Sequence, residues 1–279
     1  MTITRLRLDL AYDGTDFHGW AKQSGGLRTV QGVIEAKLAL IAQAPVELTV
    51  AGRTDAGVHA TGQVAHVDVP CSVLSHRSVA GDPARLVGRL AKLLPEDIRI
   101  QDVSLAPAGF DARFSALRRH YVYRVTTNAA GALPLRARDT ATWLKEVDVD
   151  LMQETANHLV GLHDFAAFCK HKPHATTIRD VQSFAWHDVS TKEEPELFEA
   201  HISADAFCWS MVRSLVGACL AVGEGRKAIS FPLELLGQRN RSSQCPVAPA
   251  KGLTLVRVDY PDDTSLADRA VETRGRRTL

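Results

Sequence analysis

The chain opens with a strict alternation of apolar and polar residues. Leu6, Leu8 and Leu10 alternate with charged residues between positions 4 and 12, which is the period of two expected of a strand with one buried face. From Thr29, a good N-cap residue, to about residue 44, apolar residues recur at helical spacing. The pattern then predicts strands at 46–50 and 63–69, a helix over 83–94 and a strand over 98–103. The order is β-α-β-β-α-β, that of a ferredoxin-like split unit.

The second half of the chain repeats this order. Its pattern predicts a strand over 120–127, a helix over 149–162, strands over 178–189 and 197–204, helices over 209–222 and 232–238, and a last strand over 253–260. We therefore predict an α+β fold of two ferredoxin-like halves, 1–105 and 106–262, joined into one mainly antiparallel sheet with a central cleft. Two unrelated α+β lobes are the alternative. Residues 263–279 are polar, basic and aperiodic, which predicts a mobile tail.

Composition narrows the class of protein. The 279 residues are 45% hydrophobic, and 33 basic against 32 acidic residues give a formal net charge of +1, so any nucleic acid must be bound by local patches. Five widely spaced cysteines with no Cys-x-x-Cys pair argue against a disulfide framework and a zinc ribbon. We expect a reducing compartment. The N-terminus lacks a signal-peptide pattern and Arg213 interrupts the most apolar helix, which predicts a soluble, cytoplasmic protein without a membrane partner.

The chemistry of the chain is concentrated in one short loop between two predicted strands. Residues 51–60 combine the guanidinium of Arg53, the carboxylate of Asp55 and an imidazole with two glycines, Gly52 and Gly57. Glycine allows a positive φ and the close approach of a ligand. A polar loop presented by rigid strands suits a binding or catalytic site. An ordinary turn is the alternative, because turns also favour Asp and Gly.

The ten residues Ala51–Ala60 closely resemble the signature of the pseudouridine synthase family that modifies the anticodon arm of tRNA. Similar matches cover nearly the whole chain: Tyr12-Asp13-Gly14, Gly19-Trp20, Thr29-Val30-Gln31, Phe110–Ala116, Tyr121 with Tyr123, His163-Asp164-Phe165, Met211–Gly217 and Ala248–Leu253. The chain departs from the family at Ala21, where many members carry Gln. The resemblance implies a homodimeric isomerase without cofactor or metal, which converts uridine to pseudouridine at positions 38–40 of tRNA.

The resemblance also implies the catalytic residues. Asp55 matches the catalytic aspartate, Arg213 the active-site arginine and Tyr121 the tyrosine that covers the uracil. An ionised carboxylate in a pocket that excludes water needs a cationic partner, and an arginine in an apolar helix is costly unless it meets a negative charge. Solvent exposure of Arg213 and sheet packing of Tyr121 are the alternatives. Attack by Asp55 on C6 or on C1′ and removal of a ribose proton all remain open.

Several further residues are candidates for binding the RNA. The resemblance implies that Arg53 helps to open the RNA and that Leu253 forms the floor of the pocket. Local basic clusters suit phosphate contacts, although a solvated charged face is the alternative for each cluster; our candidates from them are Arg113, Arg119, Lys170 and Lys172.

One cluster in the second half superficially resembles a metal site. Cys169, His171 and His174 lie close together in the sequence, with His163 nearby, but lysines lie between them and no second cysteine pair exists. We therefore expect no metal there.

For the function as a whole, the alternatives are a synthase of the same family that acts on other RNA positions and a non-catalytic RNA-binding protein.

Overall fold

A computed structural model describes residues 2–170 and 176–275 of the chain. This part contains ten strands and seven α-helices, and the strand pairs with a defined register are antiparallel with one short exception. The predicted α+β class with mainly antiparallel pairing is confirmed. The contacts divide the chain into two compact units, one of residues 2–117 with Leu255–Gly275 and the other of Arg118–Thr254.

The first unit contains the β-α-β-β-α-β order that the sequence predicts. Its elements are β1 (Ile3–Tyr12), α1 (Val30–Ala42), β2 (Leu48–Val50), β3 (His59–Pro70), α2 (Ser72–Ser75), α3 (Arg85–Leu93) and β4 (Ile98–Leu105). The strands lie in the order β4-β1-β3-β2, with Leu8 opposite Ala65 on one side and Val103 on the other. This is the strand order of a ferredoxin-like split unit. Leu6, Leu8 and Leu10 are buried as the alternation predicts.

Two polar side chains fix α1 in place. Thr29 caps the helix as predicted, since its hydroxyl accepts the backbone N–H of Gly32 at 3.3 Å. Glu35 is buried, with 4% of its surface exposed, and its carboxylate accepts the backbone N–H of Leu48 at 2.8 Å. This bond joins the helix to the start of β2, which leads directly into the Asp55 loop.

The second unit contributes antiparallel strands of its own to the sheet. Its elements are β5 (Arg118–Thr126), β6 (Ala141–Thr142), α4 (Val149–Asn157), β7 (Gly161–Asp164), β8 (Ile178–Asp188), β9 (Leu197–Ala204), α5 (Met211–Gly223) and α6 (Phe231–Leu236). The strand order is β5-β9-β8-β7, and the short β6 runs parallel to β5. The predicted helix over 149–162 is too long, because Gly161 adopts a φ of 113° and begins a strand that pairs with β8.

Helix α5 forms the apolar centre of the second unit. Every one of its residues is buried except Arg213. Gly217 is packed so closely that a Cβ atom there would collide with the carbonyl of Pro246. The helix therefore accommodates no larger residue at this position.

The C-terminal segment forms β10 (Leu253–Asp259) and α7 (Leu266–Arg274), and from Leu255 onward it belongs to the first unit. Strand β10 pairs with β3. Leu266 and Ala270, one helical turn apart, are 2% and 3% exposed, and the carbonyl of Leu266 accepts the hydroxyl of Ser115 at 2.9 Å. Residues Leu266–Arg274 thus form a helix where the sequence predicted a mobile tail, and an ion pair of Arg274 with Asp111 at 3.1 Å also joins this helix to the 110–115 segment. Residues 276–279 of the predicted tail lie outside the described residues.

The structure shows the state of the five cysteines and the length of the helices. Cys169 and Cys208 form a disulfide with Cα atoms 5.8 Å apart, while Cys71, Cys219 and Cys245 remain thiols. The two cysteines are 39 positions apart in the sequence, and this single pair is not the disulfide framework against which the cysteine spacing argued. Among the described residues, no helix is both long and apolar enough to cross a membrane.

Candidate active site

The Asp55 loop is a tight turn in the first unit. The backbone carbonyl of Asp55 accepts the N–H of Val58 at 3.2 Å, and Gly57 closes the turn with a φ of 77°. This positive φ confirms the conformational role predicted for Gly57, whereas Gly52 has no positive φ. Arg53 is exposed and Asp55 is half-buried. The loop therefore presents a guanidinium toward solvent and a partly enclosed carboxylate two residues later.

The segment 13–20 is hydrogen-bonded to this turn and supports it. The N–H of Gly14 donates to Nδ1 of His59 at 3.0 Å, and the N–H of Trp20 donates to the carbonyl of Thr54 at 3.0 Å. Gly19 has a φ of 91°, and a Cβ atom on it would lie 2.9 Å from the Thr54 carbonyl. Trp20 is 1% exposed. The aromatic and glycine residues of this segment thus pack the Asp55 loop tightly against the strands.

Sequence reasoning gave no role to a buried polar cluster behind the loop. Gln63 in β3 has no exposed surface, and its amide nitrogen donates to the carbonyl of Gly52 at 2.8 Å and to the hydroxyl of Tyr12 at 3.2 Å. The hydroxyls of Tyr12 and Thr54 are 2.8 Å apart. The sequence did contain a sign of this cluster. Gln63 shares a strand face with Ala65 and Val67, and a polar residue on an apolar face needs buried hydrogen-bond partners.

Two tyrosines lie on one face of β5 in the second unit, as their spacing predicts. Tyr121 is 7% exposed, and its ring contacts Phe207 edge-on with centroids 5.2 Å apart. The Tyr123 ring is completely buried, and its hydroxyl donates to the carbonyl of Pro249 at 3.1 Å. Burial raises the pKa of Tyr123, so this residue is a neutral hydrogen-bond donor.

Arg213 is held by the backbone of Ala248. Its Nε donates to the carbonyl of Ala248 at 2.7 Å, and the N–H of Ala248 donates back to the carbonyl of Arg213 at 3.0 Å. The positive charge of Arg213 opposes the rise in the pKa of Tyr123. Leu253 follows this segment and is 5% exposed. The second unit therefore assembles an arginine, a tyrosine and the Ala248–Leu253 motif.

The candidate RNA contacts fall into different environments. Arg113 and Lys170 are exposed, with their charged groups over the rings of Phe114 at 4.9 Å and Trp209 at 4.2 Å. Arg119 is only 6% exposed and donates to the carbonyl of Asp205 at 2.6 Å, an environment typical of a structural arginine. Lys172 lies outside the described residues.

The predicted site residues are thus divided between the two units. Arg53 and Asp55 belong to the first, and Tyr121, Arg213 and Leu253 to the second. That all five line one pocket stays a prediction. Within the described part of the chain, no group of three potential ligands is arranged to hold a metal ion; His171 and His174 of the rejected metal cluster lie outside it.

Comparison with known proteins identifies the family. A family model described as tRNA pseudouridine synthase matches residues 10–115 and 155–261. A tRNA pseudouridine synthase A of Corynebacterium glutamicum is 65% identical over 271 residues, which are 97% of this chain and 94% of that protein. Proteins of the same name from Mycobacterium leprae and Frankia casuarinae are 54% and 53% identical, each over 98% of this chain and over 96% and 95% of their own length. The chain belongs to the tRNA pseudouridine synthase family.

Proposed function

We propose that this protein isomerises uridine to pseudouridine at positions 38–40 in the anticodon arm of tRNA, with Asp55 as the catalytic carboxylate. The observation that carries the proposal is the loop at 51–60, which matches the family signature and holds a half-buried Asp55 in a rigid turn. The named relatives, up to 65% identical, are tRNA pseudouridine synthases. We further propose that the enzyme acts as a homodimer in the cytoplasm and needs no cofactor.

The reaction requires little beyond one reactive carboxylate and an enclosed place for the base. The bond between N1 and C1′ of the nucleotide breaks, the uracil turns, and a bond between C5 and C1′ forms. The hydrogen on C5 leaves as a proton, and N1 gains a proton. Because atoms and electrons balance within the nucleotide, neither an oxidant nor a second substrate is needed.

Asp55 begins the reaction in its ionised form. An ionised carboxylate can add to C6 of the uracil, attack C1′ of the ribose or remove a ribose proton, and each route uses the same unprotonated oxygen. The half-buried position suits this chemistry, since a carboxylate in full solvent would be shielded by water. Gly57 and the bonds to the 13–20 segment fix the backbone that carries this carboxylate.

Arg213 and Tyr121 complete the site in this proposal. Arg213 stabilises the ionised Asp55 and orients it, and the hydrogen bonds with Ala248 hold its guanidinium ready for that role. Tyr121 covers the uracil once the nucleotide has been flipped out of the RNA, at a cost of a few kcal/mol, and Leu253 forms the floor of the pocket.

The surroundings of the basic residues decide which of them we assign to the RNA. Arg53 is exposed two residues before Asp55 and enters the gap left by the flipped nucleotide. Arg113 and Lys170 are exposed and suit phosphates, and Lys172 stays a candidate from its basic sequence cluster alone. Arg119 is buried against the Asp205 carbonyl, so we propose that it supports the strand on which Tyr121 lies.

A release assay tests the proposal. Unmodified tRNA with tritium on C5 of uridine is incubated with pure protein, and label in water reports the loss of the C5 hydrogen. We expect release by the wild type and a rate lower by roughly 10³ or more in Asp55→Asn, with unchanged tRNA binding. Wild-type release by Asp55→Asn would refute the catalytic role. Binding without release by the wild type would indicate a non-catalytic RNA-binding protein.

A further inference from the structure

We propose that Tyr12, Gln63 and Thr54 are positioning residues that hold Asp55 in its reactive place. The inference rests on the proposed function and assigns the buried polar cluster to it. Tyr12 and Gln63 lie outside the loop and Thr54 is part of it, and Gln63 in particular has no exposed surface and cannot touch RNA. Their effect on the reaction must therefore pass through the backbone of the loop.

Gln63 is the origin of a directed chain of hydrogen bonds. Its amide nitrogen has two hydrogens and two acceptors, the carbonyl of Gly52 at 2.8 Å and the hydroxyl oxygen of Tyr12 at 3.2 Å. Its amide oxygen accepts the N–H of Val64 at 3.2 Å. A carboxylate or an apolar side chain at position 63 would leave the Gly52 carbonyl without this donor.

The direction of the next bond follows from burial. Tyr12 is 4% exposed and already accepts from Gln63, so its own hydrogen needs an acceptor, and the hydroxyl oxygen of Thr54 lies 2.8 Å away. Burial also raises the pKa of Tyr12 to about 12, which keeps the phenol protonated. Tyr12 therefore donates to Thr54, and the chain runs from the Gln63 amide through the phenol to the threonine.

This chain fixes the residues that immediately precede Asp55. Gly52 is held by Gln63, and Thr54 is held twice, at its hydroxyl by Tyr12 and at its carbonyl by the N–H of Trp20 at 3.0 Å. The next residue is Asp55. A displacement of about 1 Å at a reacting group can reduce a rate by about 10²-fold, so loss of these bonds acts on turnover rather than on RNA affinity.

The chain offers a matched set of variants. Tyr12→Phe and Thr54→Val each remove one hydroxyl with little change in shape, and Thr54→Ser restores the hydroxyl. Tyr260→Phe is the control. Tyr260 lies in the same unit, and its hydroxyl donates to the carbonyl of Ala112 at 2.7 Å. The variant therefore also loses one hydroxyl hydrogen bond, but outside the Asp55 loop. The measurements are the single-turnover rate with saturating tRNA, the Kd for tRNA and the melting temperature.

We expect Tyr12→Phe and Thr54→Val to slow single turnover by about 10- to 100-fold with a Kd within about twofold of the wild type, and Thr54→Ser to regain most of the rate. Tyr260→Phe should lower the melting temperature while it retains the rate. Full rates in both Tyr12→Phe and Thr54→Val, or an equal loss of rate in Tyr260→Phe, would overturn the inference alone. A wild type without turnover would overturn the proposed function as well. Should Tyr12→Phe not fold, the comparison of Thr54→Val with Thr54→Ser decides.

Discussion

Tyr121 and Tyr123 are two residues apart on one strand face, yet their surroundings differ. The hydroxyl of Tyr123 donates a hydrogen bond to the Pro249 carbonyl, and a Cβ atom on Gly252 would lie 2.8 Å from the Tyr123 ring. The alternative of sheet packing thus describes Tyr123 well. The rings of Tyr121 and Phe207 pack edge to face, a favourable arrangement of two aromatic rings.

Removal of each tyrosine hydroxyl should therefore have a different effect. We expect Tyr121→Phe to lower the rate of tritium release by roughly 10² or more if its hydroxyl takes part in removing the C5 proton, with little change in melting temperature. Tyr123→Phe should lose about 1 kcal/mol of stability and keep its rate within a few-fold. Chemical denaturation and the release assay measure both quantities. The reverse assignment of the two effects would contradict a catalytic Tyr121 and a structural Tyr123.

At the scale of single residues, the motif points to candidate reactive groups more readily than to the residues that support them. Spacing placed Tyr121 and Tyr123 on one face but could not separate them, because the difference comes from Phe207 and Pro249, which are distant in the chain. Arg119 belongs to a basic cluster in the sequence, although it is also two residues from Tyr121 and faces the same buried side. The periodicity of the strand already contained that information.

Helix α7 is an element whose contribution to stability can be measured with a matched control. Leu266 is 2% exposed, whereas Val271 on the same helix is 70% exposed. Leu266→Ala should cost about 2–5 kcal/mol of unfolding free energy because it leaves a cavity, and Val271→Ala should change stability by about 0.5 kcal/mol at most. Denaturation in urea gives both values. Equal small effects would mean that the helix does not stabilise the first unit.

His66 in β3 predicts the pH dependence of stability. Its Nδ1 accepts the N–H of Ala112 at 3.0 Å. Burial lowers the pKa of His66, and the nearby Arg5 lowers it further, while Asp111 and Asp68 act in the opposite direction. The unfolded chain therefore binds more protons than the folded chain below the ordinary pKa of about 6.5, so stability should fall as the pH falls from there toward the lowered pKa.

The test for His66 is a comparison of unfolding free energies at pH 7.5 and pH 5.5. We expect His66→Gln to be less stable than the wild type at the higher pH and to show a smaller loss between the two values. His18→Gln, which replaces an exposed imidazole, should retain the wild-type difference. An undiminished loss in His66→Gln would show that other groups cause the pH dependence.

Among the elements, those with long periodic patterns were predicted well. The leucines of β1 and the apolar face of α1 each provide several repeats of their period. The short strands β6 and β7, of two and four residues, provide too few. Helix α7 was missed for the same reason, since its buried face consists of Leu266 and Ala270 only.

For the whole molecule, the repeated β-α-β-β-α-β order predicted the fold class but did not report which distant segments of the chain contact each other. Residues 106–117 and Leu255–Gly275 belong with the N-terminal unit. Their assignment depends on bonds such as that between Ser115 and Leu266, which are 151 positions apart, and no local pattern reports such a contact. The net charge of +1 also gave no indication of an RNA substrate, because RNA binding depends on local basic patches rather than on the total charge.

The most direct measurement of the central claim is a map of pseudouridines in tRNA from three strains of the source organism. One strain is the wild type, one lacks the gene, and one carries Asp55→Asn at the natural level of expression. We predict pseudouridine at positions 38–40 in the wild type and unmodified uridine there in the other two strains, with all other modified positions unchanged. Pseudouridine at positions 38–40 in the Asp55→Asn strain, but not in the deletion strain, would contradict the catalytic role of Asp55.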